Sequence, residues 1–314
     1  MCAAAAGHSA MNILITGASG FVGARLTRDL LARGHRVIGV ARRSPAPEAG
    51  QKGFRFVAAD TTRPGDWQAK LSDADAVVNL AGRPIFGRWS DAVKQEIRDS
   101  RILTTRHVVD GLPTGKPVTL ISASGVGYYG ERGEAPITED TPAGEGFLAQ
   151  LSMDWEAEAR RGAESGARVV LARLGVVLGP GGGALAQMIP AFRAFVGGPI
   201  GDGRQWFPWI HLQDLTGAVA FILDHPELSG PVNLCAPHPV RNRELALALG
   251  NVLGRPAALP VPAFMLRLAL GEFAGVLLGS QRVLPQKLAA SGFRFRHPQI
   301  QPALAALLSA GAKR

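Results

Sequence analysis

The run MNILITGASGFVGARLTRDLLARGHRVIGVARR, Met11 to Arg43, leaves this chain few folds to choose from. Ile13 to Ile15 form a short continuous apolar run rather than an alternating one, which suits a strand buried on both faces of a parallel sheet. A glycine turn follows at once. Val22, Leu26, Leu30 and Leu31 then recur at helical spacing, and Gly34 is placed to end that helix. RVIGVA resumes as a second strand, so the run is one βαβ unit.

The alternation continues. FRFVAAD reads as a third strand ending at Asp60, and ADAVVNLAG as a fourth ending in a glycine. DAVKQEIRDSRILTTRHVVDGL is a long helix and PVTLISAS a fifth strand. FLAQLSMDWEAEARRG is the next helix, with Leu148, Leu151 and Trp155 on one face, and ARVVLARLGVVLG is a sixth strand. Strands alternating with helices predict an α/β fold, a Rossmann-type doubly wound parallel sheet. Past Gly179 the texture changes to Gly, Pro and aromatic residues, expected as loops and a short helix closing over a site. From Pro237 on, helical stretches are broken by prolines. The expected organisation is a disordered leader over 1–10 and a dinucleotide-binding domain over 11–178, completed by 211–236. Segments 179–210 and 237–314 form a smaller, mostly helical substrate-side subdomain.

Composition narrows the function. The chain carries a net charge of +9 with a pI near 10.3, which raises nucleic-acid binding. Its basic residues are almost all arginines scattered singly or in pairs, however, with no basic run or aromatic-interleaved patch. Small anionic ligands fit better, and no nucleic-acid or membrane partner is expected. No stretch approaches a membrane span. Cys2 and Cys235 cannot build a disulfide framework, and no Cys/His cluster has metal-ligand spacing, so no metal is expected and a reducing cytoplasm is.

Between the first strand and first helix, TGASGFVG places Gly17, Gly20 and Gly23 three residues apart. Gly17 permits the tight turn, Gly20 lets backbone approach a pyrophosphate, and Gly23 lets helix and strand pack closely. The helix start supplies oriented N–H donors. A dinucleotide is the expected ligand. NAD sites usually end the second strand in Asp or Glu, to bind the ribose 2′-hydroxyl. Here it ends Ala41-Arg42-Arg43, with no acid before Glu48. Two guanidiniums match a 2′-phosphate, so NADP(H) is favoured.

These segments, with NLAG, SRILTTR, SASGVGYYG, FLAQLSMDWE, RLGVVLGPGGGAL, GGPIGDGRQWFPWIHLQDL, NLCAPHPVRN and SQRVLPQKL, resemble the extended short-chain dehydrogenases of the NAD-dependent epimerase/dehydratase group. Within it the chain is similar to YfcH-type epimerase family proteins, which carry a C-terminal domain of unknown function. The likeness covers nearly everything from Met11 onward. It implies that Gly17, Ser19, Gly20, Phe21, Val22 and Gly23 surround the pyrophosphate, and that Arg42 and Arg43 lie at the adenosine ribose. It also implies Asp60 and Thr61 beside the adenine, and Leu80, Ala81 and Gly82 under the cofactor. Ser122, Ala123 and Ser124 end the fifth strand, where the family's catalytic serine or threonine sits. Ser124 is the best match.

The chain departs from that pattern in its acid/base pair. Classical members continue with Tyr-x-x-x-Lys on the following helix. Aligning the acidic end of that helix on Glu156 puts Leu148 and Ser152 at the two positions, and aligning on Glu158 puts Gln150 and Asp154 there. Neither restores the pair. Tyr128, Tyr129 and His211 remain as candidate proton donors, each with a structural alternative. Arg204, Gln205 and Trp206 follow the sixth strand and are the candidate substrate contacts, for an anionic or carbonyl-bearing small molecule. The expected function is NADP(H)-dependent oxidoreductase or epimerase-like chemistry. The alternatives are a weakly catalytic NADP(H)-binding redox sensor or interaction protein, and a nucleotide-sugar epimerase.

Overall fold

The computed structural model describes residues 10–43 and 50–309. The expected leader lies outside the described residues, except for its last position. A parallel seven-stranded sheet organises the molecule, formed by β1 (Asn12–Thr16), β2 (Arg36–Ala41), β3 (Phe54–Ala58), β4 (Ala76–Asn79), β5 (Thr119–Gly125), β6 (Arg168–Leu174) and β7 (Gly230–Leu234). Their order is β7-β6-β5-β4-β1-β2-β3, with every neighbouring pair parallel. The order reverses between β1 and β4. Doubly wound sheets open a ligand crevice at that switch point, beyond the strands' C-terminal ends.

Alternate residues of each strand feed opposite layers. Ile13 and Ile15 of β1 pack with Leu26 and Leu30 from α1 (Phe21–Ala32) and with Leu215 and Val219 from the helix Leu212–Asp224. Leu14 faces the other way, joining Val77, Leu120 and Val108 and Val109 of α2 (Asp91–Asp110). Each such side chain contributes about 1.5–3 kcal/mol of burial, which is why a run like Ile13–Ile15 tolerates no polar substitute. α3 (Phe147–Arg160) packs beside α2 on this second layer.

The expected sixth strand, Ala167 to Gly179, divides. Its first half stays in the sheet as β6, and its second half, Val176–Gly179, leaves to pair in parallel with Trp209–His211. The break falls at Gly175. A Cβ there would lie 2.9 Å from Cys235 Sγ and 3.0 Å from the Pro208 carbonyl oxygen, so only glycine fits where the chain passes between them. The division steers residues 176–211 over the C-terminal ends of the strands. Beyond the sheet, the helices Asn242–Leu253 and Ile300–Ser309 share a second core with Leu185, Phe192 and Trp209. No helix among the described residues is long and apolar enough to cross a membrane.

Candidate functional site

The crevice begins at the end of β1. Thr16 Oγ1 donates to Asn79 Oδ1 at 2.7 Å and accepts from the backbone N–H groups of Leu80 and Ala81, which ties β1 to the loop after β4. Gly17 turns with φ +68°, and a Cβ on it would sit 3.0 Å from the Ala81 backbone. At Gly23 a Cβ would fall 2.2 Å from the Gly17 carbonyl oxygen. No side chain caps the start of α1, so its first amides are left to a ligand, and Ser19 and Gly20 are exposed beside them. Uncapped amides at a helix start favour an anion. Phe21 and Val22 open the helix, partly buried. The cradle fits a pyrophosphate.

Arg42 and Arg43 are exposed at the end of β2. Asp60, exposed past β3, accepts from the Thr62 hydroxyl at 2.7 Å. That bond, with the Thr62 amide and the charges of Arg42 and Arg63, holds the Asp60 carboxyl below its ordinary range. Thr61 is buried against the Thr104 hydroxyl.

Polar residues line the ends of β4 and β5. The Asn79 side-chain amide donates to Thr105 Oγ1 at 2.8 Å and to Ser122 Oγ at 3.3 Å, and the Trp155 indole also donates to Thr105 Oγ1. Ala123 packs with Ile102 and Trp155, while Leu80 and Ala81 are half-buried and Gly82 is exposed. Ser124 is buried, and its hydroxyl donates to Glu156 Oε1 at 2.9 Å. Glu156 takes a two-pronged bond from Arg173, 2.7 Å from Nε and 2.8 Å from Nη2. Both are buried and mutually neutralised, the geometry that makes such pairs tolerable away from water.

Arg173 also sorts the two tyrosines. Its Nη1 donates to the Tyr129 hydroxyl at 2.9 Å, and that hydroxyl donates in turn to Asn233 Oδ1 at 2.6 Å. Tyr129 is fully buried, and burial pushes its phenol up to about 12. It ties the turn Val126–Tyr129 to β7, which leaves it unsuited to proton exchange. Tyr128 is half-buried, with the Arg173 guanidinium 3.5 Å from its ring centroid. Among the described residues its hydroxyl has no hydrogen-bond partner. His211 is also committed to the fold. Its Nδ1 accepts from the Gln213 amide at 3.0 Å, capping the helix Leu212–Asp224, and its ring stacks on His297 at 3.7 Å. Burial first, then the His297 and Arg25 charges, lower its pKa to about 3, so the ring stays neutral where a proton shuttle would have to titrate.

The loop after β6 separates its three candidates. Arg204 is exposed, with its amide bonded to Asp202. Gln205 is buried, and its side chain donates to the carbonyls of Ile200 and Leu277, so it stitches the loop to the C-terminal helices. Trp206 is half-exposed. Its indole donates to Glu134 at 2.9 Å, and the Arg241 guanidinium lies 4.4 Å from its ring. Arg241 grips both Glu134 oxygens at 2.8 Å; these bonds, with that of Trp206, hold the carboxyl down at about 2.

Residues 13–235 match the NAD dependent epimerase/dehydratase family, and residues 261–307 match a domain of unknown function, DUF1731. The chain belongs to the NAD-dependent epimerase/dehydratase family. It is 42% identical over 305 residues to the chloroplastic epimerase family protein SDR39U1 homolog of Arabidopsis thaliana, covering 96% of this chain and 88% of that one. An epimerase family protein of Mycobacterium tuberculosis is 45% identical over 303 residues, covering 93% and 96%. The crystal structure of human epimerase family protein SDR39U1 (isoform 2) with NADPH superposes with a TM-score of 0.84 at 35% identity, covering 95% of this chain and 99% of that one.

The helix α3 carries neither member of the expected Tyr-x-x-x-Lys pair. Leu148 packs against Gly127, and Ser152 is buried, so the first alignment of the family's Tyr-x-x-x-Lys places no titratable group there. In the second, Gln150 donates to Asp154, which pairs with Arg98. A cation does stand nearby, on the adjacent helix. A Cβ on Gly82 would lie 3.3 Å from Arg101 Cζ, and the same guanidinium sits 5.3 Å from the Trp155 ring centroid. Among the described residues Arg101 donates to neutral atoms alone, the Ile97 carbonyl and Ser100 Oγ. Burial lowers its pKa to about 10, so it remains charged at neutral pH. Among the described residues no carboxylate pairs with it. The sequence reading passed over it.

Proposed function

We propose that the chain binds NADP(H) and acts as a short-chain-type oxidoreductase, or in epimerase-like chemistry, on a small carbonyl-bearing or anionic molecule. The observation that carries this is the uncapped, glycine-lined start of α1 beside the exposed Arg42–Arg43 pair. The NADPH named for the human relative supports the same choice. The α1 amides hold the pyrophosphate, and the two arginines hold the 2′-phosphate. Asp60 and Thr61 flank the adenine. Arg101, beside Gly82, takes polar groups of the nicotinamide half. When bound, the cofactor supplies or accepts a hydride.

The proton falls to Tyr128, the tyrosine with an unpartnered hydroxyl, and stacking on Arg173 fixes its ring. Ser124 donates its hydroxyl hydrogen bond to Glu156, so it works by ordering the site and by accepting hydrogen bonds. Arg204 and the flat face of Trp206 meet the substrate. The test is a screen of NADPH oxidation over aldehydes, ketones, enones and nucleotide sugars, repeated with Tyr128→Phe and Tyr129→Phe. Tyr128→Phe should lower kcat roughly 10²–10⁴-fold with NADPH affinity unchanged, whereas Tyr129→Phe should act mainly on stability. Normal turnover by Tyr128→Phe sinks the assignment. One observation favours a second reading, the redox sensor: neither Leu148 and Ser152 nor Gln150 and Asp154, the two pairs that α3 offers, supplies the expected tyrosine and lysine. Tight NADPH binding with no turnover across the panel would select it.

A further inference from the structure

The helix Ala263–Leu270, AFMLRLAL, is apolar at every position but one and yet has no buried residue. Phe264 is 69% exposed and Leu268 77%. A helix apolar nearly all round belongs in a core or against another apolar phase. This one continues into a wider rim. Val261 donates to the Pro199 carbonyl at 2.8 Å and the Gly201 amide to Val261 at 2.9 Å, which fastens the segment carrying the exposed Leu259 to the one carrying the exposed Phe195 and Val196. On the other side Arg88 donates to the Leu268 carbonyl at 3.1 Å, and the exposed Phe86 packs edge-on to Phe273. Large apolar side chains left exposed on segments fastened to one another mark an interaction site.

Its charge says what it meets. No Asp or Glu occurs from Arg193 to Gly201 or from Arg255 to Gly271, which with Phe86 and Arg88 build the rim; the exposed Asp91 and Asp202 stand at its borders. Arg193, Arg255 and Arg267 are exposed within them and Arg88 beside them, while Glu272 at the border is paired with Lys94. Arg255 lies 4.4 Å from the Phe195 ring centroid, so cation and apolar surface are interleaved. We infer that this rim seats the protein on an anionic lipid surface. Phe264, Met265 and Leu268 enter the headgroup–acyl boundary and the arginines bind lipid phosphates. A second copy would set like charges against each other, which disfavours it. The attachment is peripheral, since no helix among the described residues is long and apolar enough to span.

The test is co-sedimentation of the full chain with vesicles of phosphatidylcholine alone and of an equimolar phosphatidylcholine–phosphatidylglycerol mixture. Binding should require the mixed vesicles and fall as salt rises. Phe264→Asp/Leu268→Asp and, separately, Arg255→Glu/Arg267→Glu should each weaken it roughly tenfold or more, with circular dichroism and NADPH affinity unchanged. If the aspartate variant misfolds, the charge-reversed one still decides. No binding to mixed vesicles, equal binding to both kinds, or full binding by the charge-reversed variant overturns the inference. So does a concentration-dependent dimer that Arg255→Glu/Arg267→Glu abolishes, which would give the rim to a second copy.

Discussion

His211 makes the stability of this fold depend on pH in a direction the structure dictates. Its imidazole is buried, stacked on His297, and accepts a backbone hydrogen bond through Nδ1 as the cap of the helix Leu212–Asp224. Its pKa falls to about 3, below its ordinary value of 6.5. The unfolded chain therefore binds a proton, below pH 6.5, that the folded chain refuses. Stability from this group is complete above pH 6.5, is lost as pH falls through that value, and levels off only near pH 3. At pH 5 the loss is set almost wholly by the unfolded value: 1.36 kcal/mol times the logarithm of about 33, or roughly 2 kcal/mol. Any folded value below about 4 gives nearly the same result. His211→Asn keeps a capping acceptor that does not titrate. Urea unfolding followed by tryptophan fluorescence at pH 7.5 and pH 5 should show the parent losing about 2 kcal/mol more than the variant. Equal losses would refute the reasoning, as would an NMR titration placing His211 near 6.5 in the folded protein.

Three other outcomes follow from the site. Arg42→Ala/Arg43→Ala should erase a preference for NADPH over NADH measured by fluorescence titration, each charge-assisted contact contributing about 1.5–3 kcal/mol; equal affinities in the parent would count against the arginine pair. Glu156→Gln leaves the Arg173 charge buried without its carboxylate and should cost about 3–5 kcal/mol in urea unfolding, and a cost under about 1 kcal/mol would show the pair to be dispensable. Gly17→Ala forces a side chain into a φ of +68° against the Ala81 backbone and should weaken cofactor binding at least tenfold, read by the same titration.

Legibility in the sequence followed the range of the interaction that decides each feature. The sheet could be read because parallel strands buried on both faces leave short apolar runs such as Ile13–Ile15, and Gly17, Gly20 and Gly23 stand out because their spacing is local. The break at Gly175 could not be read. It depends on Cys235 and Pro208, which reach it only after the chain has folded back. His211 illustrates the same limit. Its residue type suggests proton transfer, but burial beside His297, 86 positions away, settles its ionisation. Tyr128 and Tyr129 are neighbours in sequence with opposite surroundings, because one phenol reaches Asn233 of β7 and the other does not.

Arg101 is the instructive omission, because a local signal for it existed. On α2, Ile97, Arg101, Thr104, Thr105 and Val108 recur at the spacing of a single helical face, and the other four are buried. A cation on the buried face of an amphipathic helix costs free energy unless something compensates it. The compensation here is incomplete within the described chain: a carbonyl, a hydroxyl and the Trp155 ring, but no carboxylate. A bound anion would supply the missing partner. The closeness of Arg101 to Gly82 puts it beside the loop after β4, where the proposed function seats the nicotinamide half. Arg173 differs from it in being fully buried, where Arg101 is half-buried, and in being matched by Glu156. A missing carboxylate does not by itself mark a ligand site: among the described residues Arg168 also lacks one and is satisfied by three carbonyls and the Thr119 hydroxyl, so it is the place of Arg101 beside Gly82 that carries the proposal.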